Sequence, residues 1–467
     1  MGPLVYLVMF GWIPALLNLF SQFPARKAIV IGFIGAWLFL PKASFPLPGL
    51  PDYTKMSATC YGIVLATVIF DAARLTNFRP KWIDIPMMMW CICPFLSSMA
   101  NGLGPYDGFS SSMDQTISWG APYFLGRLYL SDLAGMRQLA TGIFVSGLIY
   151  SPLCIFENFM SPQLHRIFYG FNAVEDLSQS IRYGGFRPVV FMEHGLMVGM
   201  WMMAGTLCGL WLWRTGVLKE VWGIPMSLLW PWQFFTFLMA RSTGAYLYFM
   251  MGVGILLVAM IFRTALPKFM LMALIITYLS MAVTGNFSEE KGDRIVDFIA
   301  NTVGPDRAQS IEFRLDNEEI LGEKARQQMV FGWGGWGRAR VYDAWGKDIS
   351  VTDSLWIIVF GNQGAVGLTF VFTAMLLPSF CFCVLRYPAR TWKHPQVAGA
   401  AVMSLILPLF MLDCVLNAMT NPVFTLACGG IAGLVVTKPK RQSKTLPGRS
   451  SGARSPQTAR VPYTNFL

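Results

Sequence analysis

The chain has 467 residues, of which 54% are hydrophobic and 13% are charged. Soluble domains carry about 25% charged residues, so this composition excludes an ordinary soluble enzyme and indicates an integral membrane protein. The apolar runs are continuous rather than alternating, which predicts spanning helices and not a closed barrel. The formal net charge of +11 comes largely from the C-terminal tail, and nucleic acid is not expected as a partner.

We predict an all-α fold, a polytopic membrane helical bundle of about 12–13 helices with a large outer-face loop. A span needs roughly 20 apolar residues. The candidate spans are 3–20, 28–41, 57–71, 84–103, 114–131, 136–157, 188–213, 222–240, 244–262, 268–285, 353–386, 397–416 and 420–437. The second and third are short, which favours tilted or re-entrant segments. The eleventh contains Gly361–Gly364, which predicts a broken helix.

Short basic loops set the predicted orientation, because loops rich in Lys and Arg prefer the cytoplasm. Five such loops, near 26–27, 74–81, 214–219, 263–268 and 386–393, all follow odd-numbered spans. The same alternation places the loop 286–352 on the outer face. Residues 1–437 therefore form the predicted bundle. The tail 438–467 has seven basic residues and no acid, which predicts a disordered cytoplasmic segment against anionic lipid headgroups.

The nine cysteines all lie in or beside apolar runs. Their spacing is not that of a zinc ribbon, so we interpret them as small apolar packing residues. Neither a disulfide framework nor a metal site is predicted, and no cofactor is expected.

The outer loop 286–352 carries twelve of the chain's 25 carboxylates. Residues 311–330 are predicted to form an amphipathic helix that carries Arg314, either a ligand contact or the partner of a neighbouring acid. The glycine-rich stretch 332–337 lacks the lysine and Ser/Thr of a phosphate loop. Its two tryptophans, Trp333 and Trp336, either stack on sugar rings or pack on neighbouring helices.

Charged groups at membrane depth are costly and predict functional sites. Arg127 falls well inside the fifth span, where it either binds a substrate phosphate, pairs with an internal acid such as Asp114, or snorkels to the cytoplasmic side. Arg241 occupies a tight joint between two apolar helices on the outer side. It either holds a lipid-linked phosphate or anchors the helix end.

The segment from Arg182 to Arg187 is followed by Pro188 and His194. Proline suits the first position of a helix, and residues seven apart share a helix face, so Arg187 and His194 are predicted to lie together. Guanidinium groups bind phosphate in a bidentate manner. The alternative is that these residues anchor a helix end at the interface. Asp353 opens the eleventh span, as a helix cap, as a base, or as both.

In this order, these pieces resemble the bacterial O-antigen ligase and polymerase superfamily. The similar elements are the Arg/Gly-Phe segment 182–187, the helix joint 240–245, Arg314, the Gly-Trp-Gly turn 332–334, and Asp353-Ser354 followed by Gly-x-x-Gly-Leu at 364–368. Together they cover roughly residues 115–430. The ordered set is moderately specific.

The resemblance implies a GT-C-like membrane protein of the bacterial inner membrane that transfers glycan from an undecaprenyl-diphosphate carrier, without nucleotide sugar or metal. Arg127, Arg187, Arg241 and Arg314 would bind the diphosphate, and His194 or Asp353 would be the base. Ligases usually carry His where this chain has Asp353-Ser354, which favours a polymerase or divergent exopolysaccharide enzyme.

Two hypotheses follow for the function. The first is a glycosyltransferase of surface polysaccharide assembly, whose partners are the lipid-linked glycan, the bilayer and other polysaccharide assembly proteins. The second is a transporter or flippase of lipid-linked or polar solutes. The sequence shows no internal repeat of the kind that supports an inverted-repeat transporter.

Overall fold

A computed structural model of the chain describes residues 2–47, 50–174, 180–182, 184–286, 297, 301 and 305–437. Helices dominate the fold. In chain order they are α1 Pro3–Gln22, α2 Ala25–Phe39, α3 Lys55–Phe70, α4 Ala72–Thr76, α5 Ile85–Ala100, α6 Pro105–Gln115, α7 Ala121–Tyr129, α8 Leu133–Met160, α9 Leu164–Tyr169, α10 Gly195–Arg214, α11 Met226–Met239, α12 Thr243–Phe262, α13 Leu266–Thr284, α14 Pro305–Arg326, α15 Leu355–Cys381, α16 Pro395–Leu416 and α17 Pro422–Val436.

Strand structure in the described residues is limited to three short antiparallel hairpins. They pair β1 Ser44–Leu47 with β2 Leu50–Thr54, β3 Ile181–Arg182 with β4 Gly185–Phe186, and β5 Glu220–Val221 with β6 Ile224–Pro225. Each lies between helices. The β3–β4 hairpin is the one that reaches the candidate site.

The predicted all-α polytopic bundle is confirmed. Each of the thirteen predicted segments contains a helix, and eight helices in the described residues are long and apolar enough to cross a membrane. Two shorter apolar helices, α3 and α17, accompany them. The most deeply buried long helices are α10 and α16, which form the centre of the bundle. All nine cysteines are free and buried, in agreement with a packing role.

Two predicted spans are wrong in detail. The segment predicted over 114–131 is divided by a π-helical turn, Thr116–Gly120, between α6 and α7. The span predicted from residue 188 begins instead at Gly195, and His194 is its N-cap. The cause is Glu157, whose carboxylate accepts the backbone N–H groups of Val189 at 2.8 Å and Val190 at 2.7 Å. These bonds hold the segment in a non-helical conformation.

The break predicted in the eleventh span is present. Gly364 has φ +66° and ψ −166° inside α15, a backbone conformation that L side chains rarely adopt. The glycine-rich turn after α14 enters this break. Trp333 N–H donates to the Gly361 carbonyl at 2.8 Å, and Ala365 N–H donates to the Met329 carbonyl at 2.8 Å.

The glycine-rich turn and α15 are in direct backbone contact at this break. A Cβ at Gly332 would lie 2.6 Å from the Gly364 nitrogen, and one at Gly364 would lie 2.3 Å from the Val330 carbonyl oxygen. Helix α5 adds support, since Ser97 donates to the Asn362 carbonyl at 2.6 Å and Asn101 to the Gly332 carbonyl at 2.7 Å. The polar backbone freed by the break is thus satisfied by protein, as membrane depth requires.

Successive spans run in opposite directions, so the loops between them lie at two ends of the bundle. The end that carries the 286–352 loop is called the loop end, and the end with the short basic loops is called the basic end. At the basic end Arg74 bonds the Leu128 carbonyl at 3.0 Å, and Arg386 bonds the Val435 carbonyl at 2.7 Å. These two contacts place the basic loops near 74–81 and 386–393 beside the ends of α7 and α17. The tail 438–467 and most of 287–304 lie outside the described residues.

Candidate functional site

Three arginines at the loop end are joined through their own backbone carbonyls. Arg187 donates from Nε and Nη2 to the Arg241 carbonyl, at 3.3 and 3.2 Å. Arg241 in turn donates from Nη1 to the Arg182 carbonyl at 2.7 Å and from Nε to Asn158 Oδ1 at 3.3 Å. Arg187 is buried. The structure therefore brings together the Arg/Gly-Phe segment and the helix joint, which are more than fifty residues apart in sequence.

Backbone geometry at this cluster is specialised to make room for the guanidinium groups. Arg241 has φ +49°, a left-handed conformation that costs a non-glycine residue about 1–2 kcal/mol. A Cβ at Gly185 would lie 2.3 Å from Arg241 Nη2, and one at Gly195 would lie 2.2 Å from Arg187 Cδ. These two glycines leave the space in which the arginine side chains lie.

His194 lies beside the arginine cluster but not on a shared helix face, so that prediction is wrong. As the N-cap of α10 it accepts the Leu196 N–H on Nδ1 at 3.0 Å. Burial, followed by the positive charges of Arg187, Arg182 and Arg314, lowers the pKa of His194 to about 4. The imidazole is therefore neutral at pH 7, and since Nδ1 accepts, its proton is on Nε2.

Arg314 of α14 reaches the same end of the bundle. Its Nε lies 3.8 Å from Asp353 Oδ2, and its Nη2 donates to Asn417 Oδ1 at 3.4 Å. Asn417 donates in turn to Asp413 Oδ1 at 2.8 Å. The result is a row of polar groups that runs from the loop into the bundle. Arg314 is thus the partner of a neighbouring acid, which is one of the two roles that the sequence left open.

Asp353 does not cap α15, so that interpretation is wrong. The N-cap is Ser354, and no side chain makes a capping hydrogen bond there. The Asp353 side chain is 44% exposed. An accessible carboxylate beside Arg314 is in a position to meet a substrate hydroxyl.

Glu318 is a site residue that the sequence reasoning missed. It lies one turn after Arg314 and docks α14 on the membrane helices. Its carboxylate accepts hydrogen bonds from Tyr278 at 2.7 Å, Ser354 at 2.8 Å and Trp356 Nε1 at 3.0 Å. Burial raises the pKa of Glu318 against the opposing effect of these hydrogen bonds. The sequence signal that could have identified Glu318 was a carboxylate on the predicted amphipathic helix, in the loop that precedes the next span.

The two tryptophans of the glycine-rich turn have different surroundings. Trp333 donates from Nε1 to the Lys324 carbonyl at 2.8 Å, and the Lys324 ammonium lies 3.8 Å from its ring centroid. Trp336 is 80% exposed and has φ +64°. Packing therefore accounts for Trp333, whereas Trp336 presents an open face on which a sugar can stack.

An apolar groove of about 530 Å³ runs between α13 and α15. Its walls include Met272, Leu279, Leu368 and Phe372, and its loop-end mouth has Ser280, Thr284 and Ala365. Ala365 directly follows the break at Gly364. The groove therefore joins the lipid-facing surface to the level at which the glycine-rich turn enters α15.

Arg127 does not join the other arginines. It lies at the basic end, where Nε donates to Asp84 Oδ1 at 2.7 Å and Nη2 to Oδ2 at 3.1 Å. Asp84 is fully buried and also accepts the Tyr123 hydroxyl at 2.9 Å. The internal partner of Arg127 is thus Asp84, not Asp114. Its predicted place among the diphosphate ligands has no support from this geometry.

Two further positioning residues, Glu157 and Asn158, end the apolar helix α8. Glu157 holds the segment before His194, and Asn158 binds both Arg241 and the Met239 carbonyl. A carboxylate at the end of a long span was a readable signal, because charge at membrane depth indicates a functional site.

Within the described ranges, no group of three or more His, Cys, Asp or Glu side chains is arranged to hold a metal ion. No protein-family model matches the chain. A search of curated proteins also finds no match.

Proposed function

We propose that the chain is a membrane glycosyltransferase that transfers or polymerises a glycan carried on undecaprenyl diphosphate, in the assembly of a surface polysaccharide or exopolysaccharide of a bacterial inner membrane. The observation that supports this most is the cluster of Arg182, Arg187 and Arg241 at the loop end. His194 lies beside this cluster, and the charges of Arg182, Arg187 and Arg314 act on it. A diphosphate is the kind of anion that such a cluster recognises.

The arginines act on the leaving group. When an acceptor hydroxyl attacks the anomeric carbon, the bond from that carbon to the diphosphate oxygen breaks and the diphosphate keeps the electron pair. Guanidinium groups fixed in advance stabilise the charge that develops there. His194, neutral and with its proton on Nε2, would donate a hydrogen bond to the diphosphate in this scheme, and is not suited to be the base.

Asp353 is the carboxylate we assign as the base. It is accessible, and it lies beside Arg314, which would hold both the diphosphate and the base in one arrangement. The attacking hydroxyl would transfer its proton to Asp353 Oδ1 or Oδ2 as the new glycosidic bond forms. Trp336 would stack on a sugar ring, and the groove between α13 and α15 would hold the isoprenoid chain.

The test is the length of surface polysaccharide made by cells that carry Arg241→Ala or Arg314→Ala. Loss of one charged donor to the leaving group is expected to lower the transfer rate by about 100-fold. The matched control is Arg390→Ala, an exposed arginine of a basic loop at the opposite end. Glycan of wild-type length in both loop-end variants, at normal expression, would contradict the proposal.

Asp353 has its own test. Asp353→Asn keeps the size of the side chain but removes the basic group, and it is expected to abolish elongation while donor binding persists. Asp353→Glu is expected to restore part of the activity. If Asp353→Asn elongates glycan like the wild type, Asp353 is not the base.

A transporter or flippase is the second candidate, and the broken helix α15 is the observation that favours it, since transporters often bind substrate at broken helices. Reconstituted protein that moves lipid-linked glycan between leaflets without forming glycosidic bonds would support it. If vesicles show no such movement, this candidate fails.

A further inference from the structure

A second cavity, of about 690 Å³, opens at the basic end, away from the candidate site. It lies between the segment after α3, the end of α7 and the last turn of α17. We propose that this cavity binds the phosphate-bearing headgroup of an anionic phospholipid from the leaflet at the basic end. The lining residues that carry charge are Asp71, Arg74, Arg79, Lys81 and Arg127.

The charge of the lining favours an anion. Four of its side chains are cationic and one is anionic. Arg74 is held by Asp71 at 2.6 Å and by the Leu128 carbonyl at 3.0 Å. In the described part of the chain no ion pair is formed by the exposed side chains of Arg79 and Lys81. These two are therefore available to a ligand.

The innermost cation of the cavity is fixed before any ligand arrives. Arg127 is only 7% exposed, and Asp84 holds it through two hydrogen bonds. Its guanidinium carbon lies 5.5 Å from the Phe78 ring centroid. Because Asp84 uses Nε and Nη2, the remaining nitrogen, Nη1, is the one left to meet an anion. A preorganised cation at the back of a cavity reduces the entropy lost on binding.

The apolar residues on either side of the cavity indicate a lipid and not a soluble anion. Ile69 and Phe70, just before Asp71, are 56% and 49% exposed, and Trp82 and Ile85, just after Lys81, are 51% and 53% exposed. Such side chains face acyl chains in a spanning protein, and tryptophan is enriched at the headgroup level. The cations between them thus lie where a phospholipid carries its phosphate.

The sequence adds a reason to expect anionic lipid at this end. The short basic loops predict that it faces the cytoplasm, where anionic lipids attract basic segments. Thr437 lines the cavity, and the seven basic residues of 438–467 follow it directly. The inference is independent of the proposed function, because it uses neither the loop-end arginines nor catalysis.

The experiment measures the thermal unfolding of full-length protein in nanodiscs of pure phosphatidylcholine, and in nanodiscs with 30% phosphatidylglycerol, together with the retention of phosphatidylglycerol in native mass spectra. The wild type is expected to unfold at a higher temperature with phosphatidylglycerol and to retain at least one molecule. A direct hydrogen bond to a charged group contributes about a 10-fold factor in affinity. The double variant Arg79→Gln/Lys81→Gln, which removes two such contacts with the headgroup, should therefore bind the lipid about 100-fold more weakly.

The control is Arg390→Gln/Lys393→Gln, which removes two exposed cations from another loop of the same end. This variant should retain the lipid like the wild type. Equal loss of bound lipid in both double variants, or equal stability of the wild type in the two nanodiscs, would overturn the proposal.

A second experiment adds soluble glycerol phosphate to the protein in phosphatidylcholine nanodiscs. If it stabilises the protein in phosphatidylcholine as much as phosphatidylglycerol does, the ligand is a soluble phosphate and the assignment to a lipid is wrong.

Discussion

The two ends of the bundle use buried arginine in different ways. At the basic end, Arg127 binds the fully buried carboxylate of Asp84 through two parallel hydrogen bonds. At the loop end, the described hydrogen bonds of Arg187 and Arg241 go to neutral carbonyl and amide oxygens. Burial, followed by the positive charge of Arg187 and its neighbours Arg182 and Arg314, lowers the pKa of His194. The buried pair at the basic end makes the loss of either partner costly, whereas the hydrogen bonds described at the loop end position the arginine side chains.

The strongest test of this comparison is Asp84→Ala. Removing one partner of a buried ion pair leaves the other charge uncompensated, and the free energy of unfolding is expected to fall by about 3–5 kcal/mol. Thermal unfolding in detergent measures the loss. Asp71→Ala, which breaks the more exposed pair with Arg74, is the control and should cost less than about 1 kcal/mol. Similar losses in the two variants would mean that Arg127 is not a structural arginine.

Glu318 tests whether the loop end also depends on a carboxylate for its architecture. Glu318→Leu removes the acceptor of Tyr278, Ser354 and Trp356, so the free energy of unfolding should fall by about 2–3 kcal/mol. Glu318→Gln keeps an acceptor oxygen and should retain most of the stability. Limited proteolysis of the loop gives a second readout, since the loss of these bonds should release α14. If Glu318→Leu leaves both measurements unchanged, Glu318 does not dock the loop.

A substitution at Asn158 can give Arg241 a carboxylate partner of the kind that Arg127 has in Asp84. Asn158→Asp places a carboxylate on Arg241 where a neutral oxygen now accepts at 3.3 Å. If the charge of Arg241 serves the diphosphate, Asn158→Asp should lower polymer formation about 10-fold below the matched variant Asn158→Ala, since about 1.4 kcal/mol is a modest charge–charge effect at a partly buried site. Equal activity in the two variants would mean that the charge of Arg241 is not used.

His194 gives the smallest expected effect. Its pKa is lowered in the folded protein, so folding favours the neutral imidazole and the unfolded chain binds the proton more readily. The contribution of His194 to stability is therefore complete above its ordinary pKa of about 6.5. It is lost as the pH falls from there toward about 4.

His194→Asn keeps a residue that caps helices well but does not titrate in this range. The unfolding temperature of the variant should fall less than that of the wild type between pH 6.5 and 4. The same pH slope in both proteins would show that the pKa of His194 is not lowered in the folded protein.

Much of the fold could be read from local sequence. Continuous apolar runs predict helices because the backbone must be satisfied within each segment in a bilayer, and every predicted segment contains a helix. Gly361–Gly364 predicted the break in α15 because glycine adopts conformations closed to other residues. The basic loops predict an orientation in the membrane, because charge placement follows the membrane and not tertiary packing.

The partner of each charged side chain could not be predicted from local sequence. Nothing in local spacing pairs Arg127 with Asp84, forty-three residues earlier, or brings the Arg241 carbonyl to Arg187. The start of α10 at Gly195 depends on Glu157 from another helix, which overrides the preference of Pro188 for a first helical turn. Local sequence thus determined which segments are helical and which side chains carry charge. Packing between distant helices decided which partner each charged side chain meets, because these contacts join residues that are far apart in the sequence.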